Sequence, residues 1–377
     1  TLYLQTAPDV WAATEISTRR DEGLDLADLD GDGDLDVLIN GHWLRNPLPE
    51  GDPGLDSWDE RVIDTNWPRA TRVLAVDLDG DGRPEVIFAG SESVGDRLSW
   101  YGADDPVYGP WTEHEIAPAA DYIHSLEAGD MDLDGDIDIV TAEMHQSTDP
   151  DRVTVYRNEG NNLLWWPQTV ATTGSHNMVV SDVDADGDLD LVGANHAQPP
   201  LEMWRNEMNP HSLLGLSAWD RHVVEPGMPW QAIFLEPAQI DDDGLTDLVA
   251  GGWWYKNPGF ASGTWVRNDL GLPLRNMAAV HDFDDDGFLD VVGTQGESYQ
   301  ANSDFVWARN DGLGGFTVYE NITPAVGEFL QGSAVSTFDP GGSREVVLSW
   351  QNGYDTQMLT VPEDPTVDTW GWRVAAD

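Results

Sequence analysis

The 377-residue chain contains no cysteine. That excludes a disulfide framework and any thiolate metal site. Lysine occurs once, as Lys256, among 18 basic residues. Without a basic stripe to displace counterions from a phosphate backbone, nucleic acid is not an expected partner. No apolar run approaches the ~20 residues of a membrane span, so membrane insertion is not expected either. Segments of useful helical period are missing, as are a G-x-S-x-G elbow and a phosphate-cradling glycine loop. What the chain has in excess is acid: 69 Asp and Glu give a net charge of −51. Loss of lysine together with this excess points to a high-salt environment, where screening shortens charge repulsion to a few Å. Withdrawing salt and Ca²⁺ is then expected to loosen the fold.

The acids are patterned. Asp28, Asp30, Asp32, Gly33, Asp34 and Asp36 spell D-x-D-x-D-G-x-x-D. Oxygen ligands at every second residue, with Gly at a sharp turn, suit a hard cation such as Ca²⁺, which takes six to eight oxygens at about 2.3–2.6 Å. The loop returns with Asp77, Asp79, Asp81 and Glu85, with Asp130, Asp132, Asp134 and Asp138, and with Asp182, Asp184, Asp186 and Asp190. A weaker copy has Gln239, Asp241, Asp243 and Asp247, and a sixth has Asp282, Asp284, Asp286 and Asp290. The seventh, from Thr337, keeps Asp339 and Glu345. About six Ca²⁺ sites are expected, at a period of about 50 residues, the spacing of a propeller or solenoid.

Each loop lies between short β-rich runs, such as Val73-Leu-Ala-Val before and Val86-Ile-Phe after. A third run carries an aromatic and then a basic-Asn pair, as in Trp43-Leu-Arg45-Asn46 and Trp254-Tyr-Lys256-Asn257. A fourth opens with an aromatic: Trp58, Trp111, Trp165 or Trp166, Trp219, Trp265, Phe316 or Trp370. Four short strands per period make a propeller blade. The expected fold is therefore an all-β, seven-bladed propeller of four-stranded antiparallel blades with calcium-binding loops, one domain over residues 1–377. The run Trp11–Ile16 reads as one more fourth strand, so the first and last blades are expected to meet through terminal strands.

On these repeats the chain resembles the FG-GAP/VCBS family of integrin-like, calcium-binding propellers. The resemblance covers nearly the whole chain and speaks to fold; the family spans adhesion domains, lectin-like modules and polysaccharide lyases. The chain starts at Thr1 without Met, which reads as a processed protein. Demand for Ca²⁺ places it outside the cell or on its surface, alone or within a larger surface assembly.

If the acidic loops pin one end, chemistry belongs at the other. Counting six residues back from each loop gives Glu22, Thr71, His124, His176, Ile233, Asn276 and Gln331. Six on from each closing acid come His42, Ser91, Met144, His196, Trp253, Gly296 and Gln351, with His145 one place beyond Met144. Equal offsets are equivalent places on different blades, so five of the nine His gather near the axis. Arg19, Arg20, Arg69, Arg72 and Arg275 precede first strands, and Trp67, Trp230 and Trp350 lie outside the strand registers.

Two functions follow. In the first, a glycan-binding or adhesion module stacks sugar on Trp67, Trp230 and Trp253, with His42, Arg69 and Asn276 among the hydrogen-bonding groups. In the second, a polysaccharide lyase removes the proton beside a uronate carboxylate. It uses His124, His145, His176 or His196 as base, Tyr122 as acid or alternative base, and Arg69, Arg72 or Arg275 as neutraliser. The resemblance implies the same residue types, since propeller lyases of this family use His, Tyr and Arg at the funnel. The His cluster would also suit Zn²⁺. Glu143, Glu236 and Glu297 are the carboxylates nearest this end for a hydrolase.

Overall fold

The computed structural model describes all residues except 8–9, 20, 149, 161, 196–200, 208–219, 228–233, 260–262, 298–299, 338–342, 352–353 and 375–377. Seven four-stranded antiparallel sheets follow one another along the chain, each with its strands in sequence order. Their first strands are Leu24–Ala27, Thr71–Val76, Ile123–Gly129, Asn177–Ser181, Leu235–Ala238, Asn276–His281 and Leu330–Ser336. These pack side by side in order, blade one on blade two and so on to blade seven. Every acidic loop joins a first strand to a second strand, as its position in the repeat predicts.

The two apolar residues after each closing acid explain how blades hold together. Successive residues of a strand face opposite sides, so each pair serves two neighbours. Val86 packs with Trp43 and Phe88 between blades one and two, while Ile87 packs with Leu98 and Ile139 between blades two and three. Leu191 and Val192, Leu248 and Val249, and Val291 and Val292 divide in the same way. All eight of these second-strand residues are fully buried, each worth about 1.5–3 kcal/mol of transfer free energy. The third-strand aromatics Trp43, Trp204 and Trp307 are fully buried as well. Among the described residues no helix is long and apolar enough to cross a membrane.

The terminal strands depart from expectation. Val10–Thr14 is not a fourth strand of any blade; it pairs with Leu2–Ala7 in a separate two-stranded sheet. Blade one already has its own fourth strand, Asp59–Val62, and blade seven has Gly371–Val374, so neither has a vacancy. The N-terminal segment instead sets Leu2 and Ile16 against Val37, Leu44 and Trp58 of blade one. Among the described residues no strand is exchanged between the first and last blades.

Candidate functional site

The acidic loops share one architecture. Their Gly residues carry the positive φ that the turn demands, 95° at Gly33 and 98° at Gly135 for example. The first acid folds the loop over itself. Asp130 accepts from the backbone N–H of Asp134 and Gly135, both at 3.1 Å; Asp28, Asp182 and Asp282 do likewise, and Asp77 accepts from Gly80 and Gly82. The closing acid is a buried clasp. Asp290 accepts from the N–H of Phe283 at 3.1 Å and of Asn310 at 2.7 Å.

Three-acid groups with ligand oxygens within 4.8 Å of one another form at Asp28/Asp30/Asp32, Asp77/Asp79/Glu85, Asp130/Asp132/Asp138, Asp182/Asp184/Asp190 and Asp282/Asp284/Asp290. Burial pushes the closing acids Asp36, Glu85, Asp138, Asp190 and Asp290 up to about 7, and neighbouring carboxylates add to it. Asp34 and Asp132 are pushed up to about 6 in the same way. Oδ1 of Asp30 and of Asp284 is buried without a hydrogen-bond partner, on side chains only 4% and 8% exposed. All-oxygen clusters with orphaned, buried carboxylate oxygens fit a hard divalent cation. Asp34, Asp36, Asp81, Asp134, Asp186 and Asp286 stand outside the three-acid groups.

The basic-Asn pair, legible as a repeat, also turns toward the loop. Arg45 contacts Asp30 and lies 3.1 Å from Asp32; Arg205 reaches Asp184 and Asp186, and Arg309 reaches Asp284 and Asp286. Arg157 lies 3.6 Å from Asp132. In blade five Lys256 contacts Asp241 and sits 2.6 Å from Asp243. Burial raises Asp243, but Lys256 outweighs it and holds Asp243 below the ordinary carboxylate range. Among the described residues Asp241, Asp243 and Asp247 form no three-acid group. In the seventh copy Glu345 is engaged by Arg373, and Asp339 lies outside the described residues.

The Asn of the pair links blades. Nδ2 of Asn206 donates to the Met131 carbonyl of the preceding blade at 2.7 Å. Asn257 donates to Val183 O at 2.8 Å, and Asn310 to Ile240 O at 2.7 Å. Met131, Val183 and Ile240 in turn donate their N–H to Asp138, Asp190 and Asp247. A buried hydrogen-bond relay therefore runs from the loop of blade three to that of blade six.

At the opposite end a funnel of about 450 Å³ opens among the first strands. Glu22, Arg72, His124, His176 and Gln331 line it, together with the apolar Met178, Val179, Phe234 and Leu235. The rings of His124 and His176 stack with centroids 4.0 Å apart, and Arg72 Nη2 lies 2.8 Å from His124 Nδ1. Burial pulls the Arg72 guanidinium down, while Glu22, Glu127 and Glu92 hold it up. Burial in turn pushes Glu127 up to about 7.

Several expected site residues lie elsewhere. Trp67 is in the core between blades one and two, its indole N–H donating to the Tyr101 hydroxyl at 3.0 Å. Trp253 is buried between blades four and five, with Arg267 over its ring. Asn276 is buried within its strand, paired opposite Thr294. His42 is buried beside Arg19, 3.1 Å away. Arg69 is exposed and held by Asp21 at 3.2 Å, and Arg275 lies 3.4 Å from Glu297. Tyr122 is not among the funnel residues; its backbone, at φ 47°, accepts from Met144 N and donates to Ser93 O. His145 is exposed, its N–H bonded to Asn195 at 3.1 Å. Glu143 is buried, accepting from Ser147 and Arg152. His196, Trp230 and Arg20 lie outside the described residues. The Zn²⁺ expectation meets a geometric obstacle: face-to-face imidazoles do not aim their nitrogens at one point, and no metal-like group among the described residues contains a His. Sequence reasoning missed Phe234 and Leu235, which carry no signal beyond apolarity.

Fold and loops together define a β-propeller with acidic, cation-type loops. Residues 77–141 match the family model of the FG-GAP-like repeat, one period from the loop of blade two to that of blade three. By this segment the chain is similar to the FG-GAP-like repeat family. No curated protein matches it in sequence. Among solved structures it is similar to the V. cholerae biofilm matrix protein Bap1, at 16% identity and TM-score 0.36, over 67% of this chain and 39% of that one. It thus spans about two-fifths of that protein's length. It is also similar to the RS223-Beta-xylosidase, at 12% identity and TM-score 0.29, over 76% of this chain and 85% of that one. Likeness at this level does not bear on what the chain binds.

Proposed function

We propose that the protein is an extracellular, calcium-loaded binding propeller whose funnel takes an uncharged glycan. The funnel carries this reading. Six of the seven blades contribute to a cavity of about 450 Å³, within the ~300–1,000 Å³ range of ligand sites. Its lining mixes polar groups, Glu22, Arg72 and the His124–His176 stack, with apolar ones, Phe234, Leu235 and Met178. A sugar ring presents the same mixture, hydroxyls at its edge and C–H groups on its face.

Charge argues for a neutral ligand. Arg72 is the one cationic side chain among the funnel residues, and Glu22, Glu92 and Glu127 already act on it. Arg69 and Arg275 are held by Asp21 and Glu297. The lyase alternative needs a cation for the uronate carboxylate and draws less support. Calcium at the acidic loops would hold their carboxylates together, and the excess of acid would keep the protein soluble in strong brine.

Calorimetry with neutral and uronate-containing oligosaccharides, in high salt with Ca²⁺, tests the reading. The expected result is binding of a neutral glycan that Phe234→Ala weakens about tenfold, with Ca²⁺ content unchanged. Ultraviolet absorbance from unsaturated uronate ends, lost in His124→Ala, would replace it with the lyase.

A further inference from the structure

Five loops have a basic residue directed at them from the third strand of the same blade. In blades one, three, four and six it is Arg; in blade five it is Lys256, the only lysine of the chain. Of these five, blade five is also the one whose loop has a neutral residue, Gln239, in place of the first Asp. We infer that the loop of blade five takes no calcium and that the ammonium of Lys256 is its resident cation.

The argument is one of charge and shape. Arginine spreads its charge over a planar fork, whereas lysine brings a compact point charge with three donors. An ammonium set between Asp241 and Asp243 therefore occupies the place a small ion would take. Sister loops gather three acid oxygens within 4.8 Å, and blade five does not. Gln239 removes one carboxylate, and Lys256 adds a fixed positive charge. Both changes lower the demand for an external divalent ion. A coding choice used once in 377 residues falls where one carboxylate is missing, so a bound ion has been exchanged for a covalently attached one. This conclusion rests on the calcium reading of the sister loops.

Equilibrium dialysis against Ca²⁺ gives the number of ions per chain. Asp284→Asn with Asp286→Asn in blade six is expected to bind one ion fewer than the wild type. Asp241→Asn with Asp243→Asn in blade five is expected to bind the same number. Gln239→Asp with Lys256→Gln is expected to gain one ion. Loss of an ion in the blade-five carboxylate variant overturns the inference, and so does a folded Gln239→Asp/Lys256→Gln protein that gains none. If the blade-six variant loses nothing, the calcium reading itself fails. The melting temperature in calcium-free buffer then decides the role of Lys256. A fall of several degrees in Lys256→Gln supports the resident cation, and an unchanged value overturns it.

Discussion

Asn257 shows how much one side chain of this repeat carries. Its N–H closes on Asp247, and its amide reaches two carbonyls, Val183 O in the preceding blade and Thr246 O in its own, both at 2.8 Å. It is 3% exposed, so nothing in solvent replaces those bonds. Asn257→Ala leaves two buried carbonyls without this donor and is expected to cost about 2–4 kcal/mol. Urea denaturation in saturating Ca²⁺ measures it; a cost under about 1 kcal/mol would show that the relay is ornamental. The Asn was visible in the sequence as part of a recurring pair. Its partner was not, because Val183 lies in another blade, 74 residues away. Trp67 teaches the same lesson. It stands just ahead of a first strand, where counting along the chain puts the funnel. Its course is set by Tyr101, 34 residues on, which takes its indole N–H.

At the scale of the element, the acidic hairpin loop was fully legible, since alternating carboxylates and a Gly define it without reference to anything distant. The funnel was legible in part. Glu22, His124, His176 and Gln331 share one offset and all line the cavity. The offset works because blades repeat their strand lengths. It fails for Asn276, as the count forward from the closing acid fails for His42, because neither count contains their local burial. The loops also make a pH prediction. The closing acids sit at about 7 when folded, with Asp247 at about 6, well above the ~4 of an unfolded carboxyl. Between those values the folded chain binds more protons than the unfolded one, so stability falls as pH rises. In chelator the protein should therefore melt higher near pH 5 than at pH 8. Saturating Ca²⁺, which favours the ionised form, should remove that difference. A melting temperature that rises with pH in chelator would contradict the burial of these groups.

At the scale of the whole molecule, the relay covers only part of the ring. It runs from blade three to blade six, and Arg344 of blade seven extends it by donating to Asp282 O. In blade one Asn46 turns back to Leu35 O in its own loop, and in blade two Ala103 follows Gly102 at the place of the pair. Hydrogen exchange is expected to open blades one and two before blades three to six, which should exchange as one cooperative unit. Uniform exchange across all seven blades would rule out that division.

Absence of an exchanged strand has a mechanical consequence. A propeller closed by strand exchange is a hoop, and a pull on its ends tightens the join. Here, among the described residues, the first and last strands lie in separate sheets, so the molecule is closer to a split washer. Among the described residues no backbone ladder joins the last blade to the first, so none resists tension between them. Under flow or traction such a ring would yield first at its split, and the stitched arc of blades three to six would come away as a single piece.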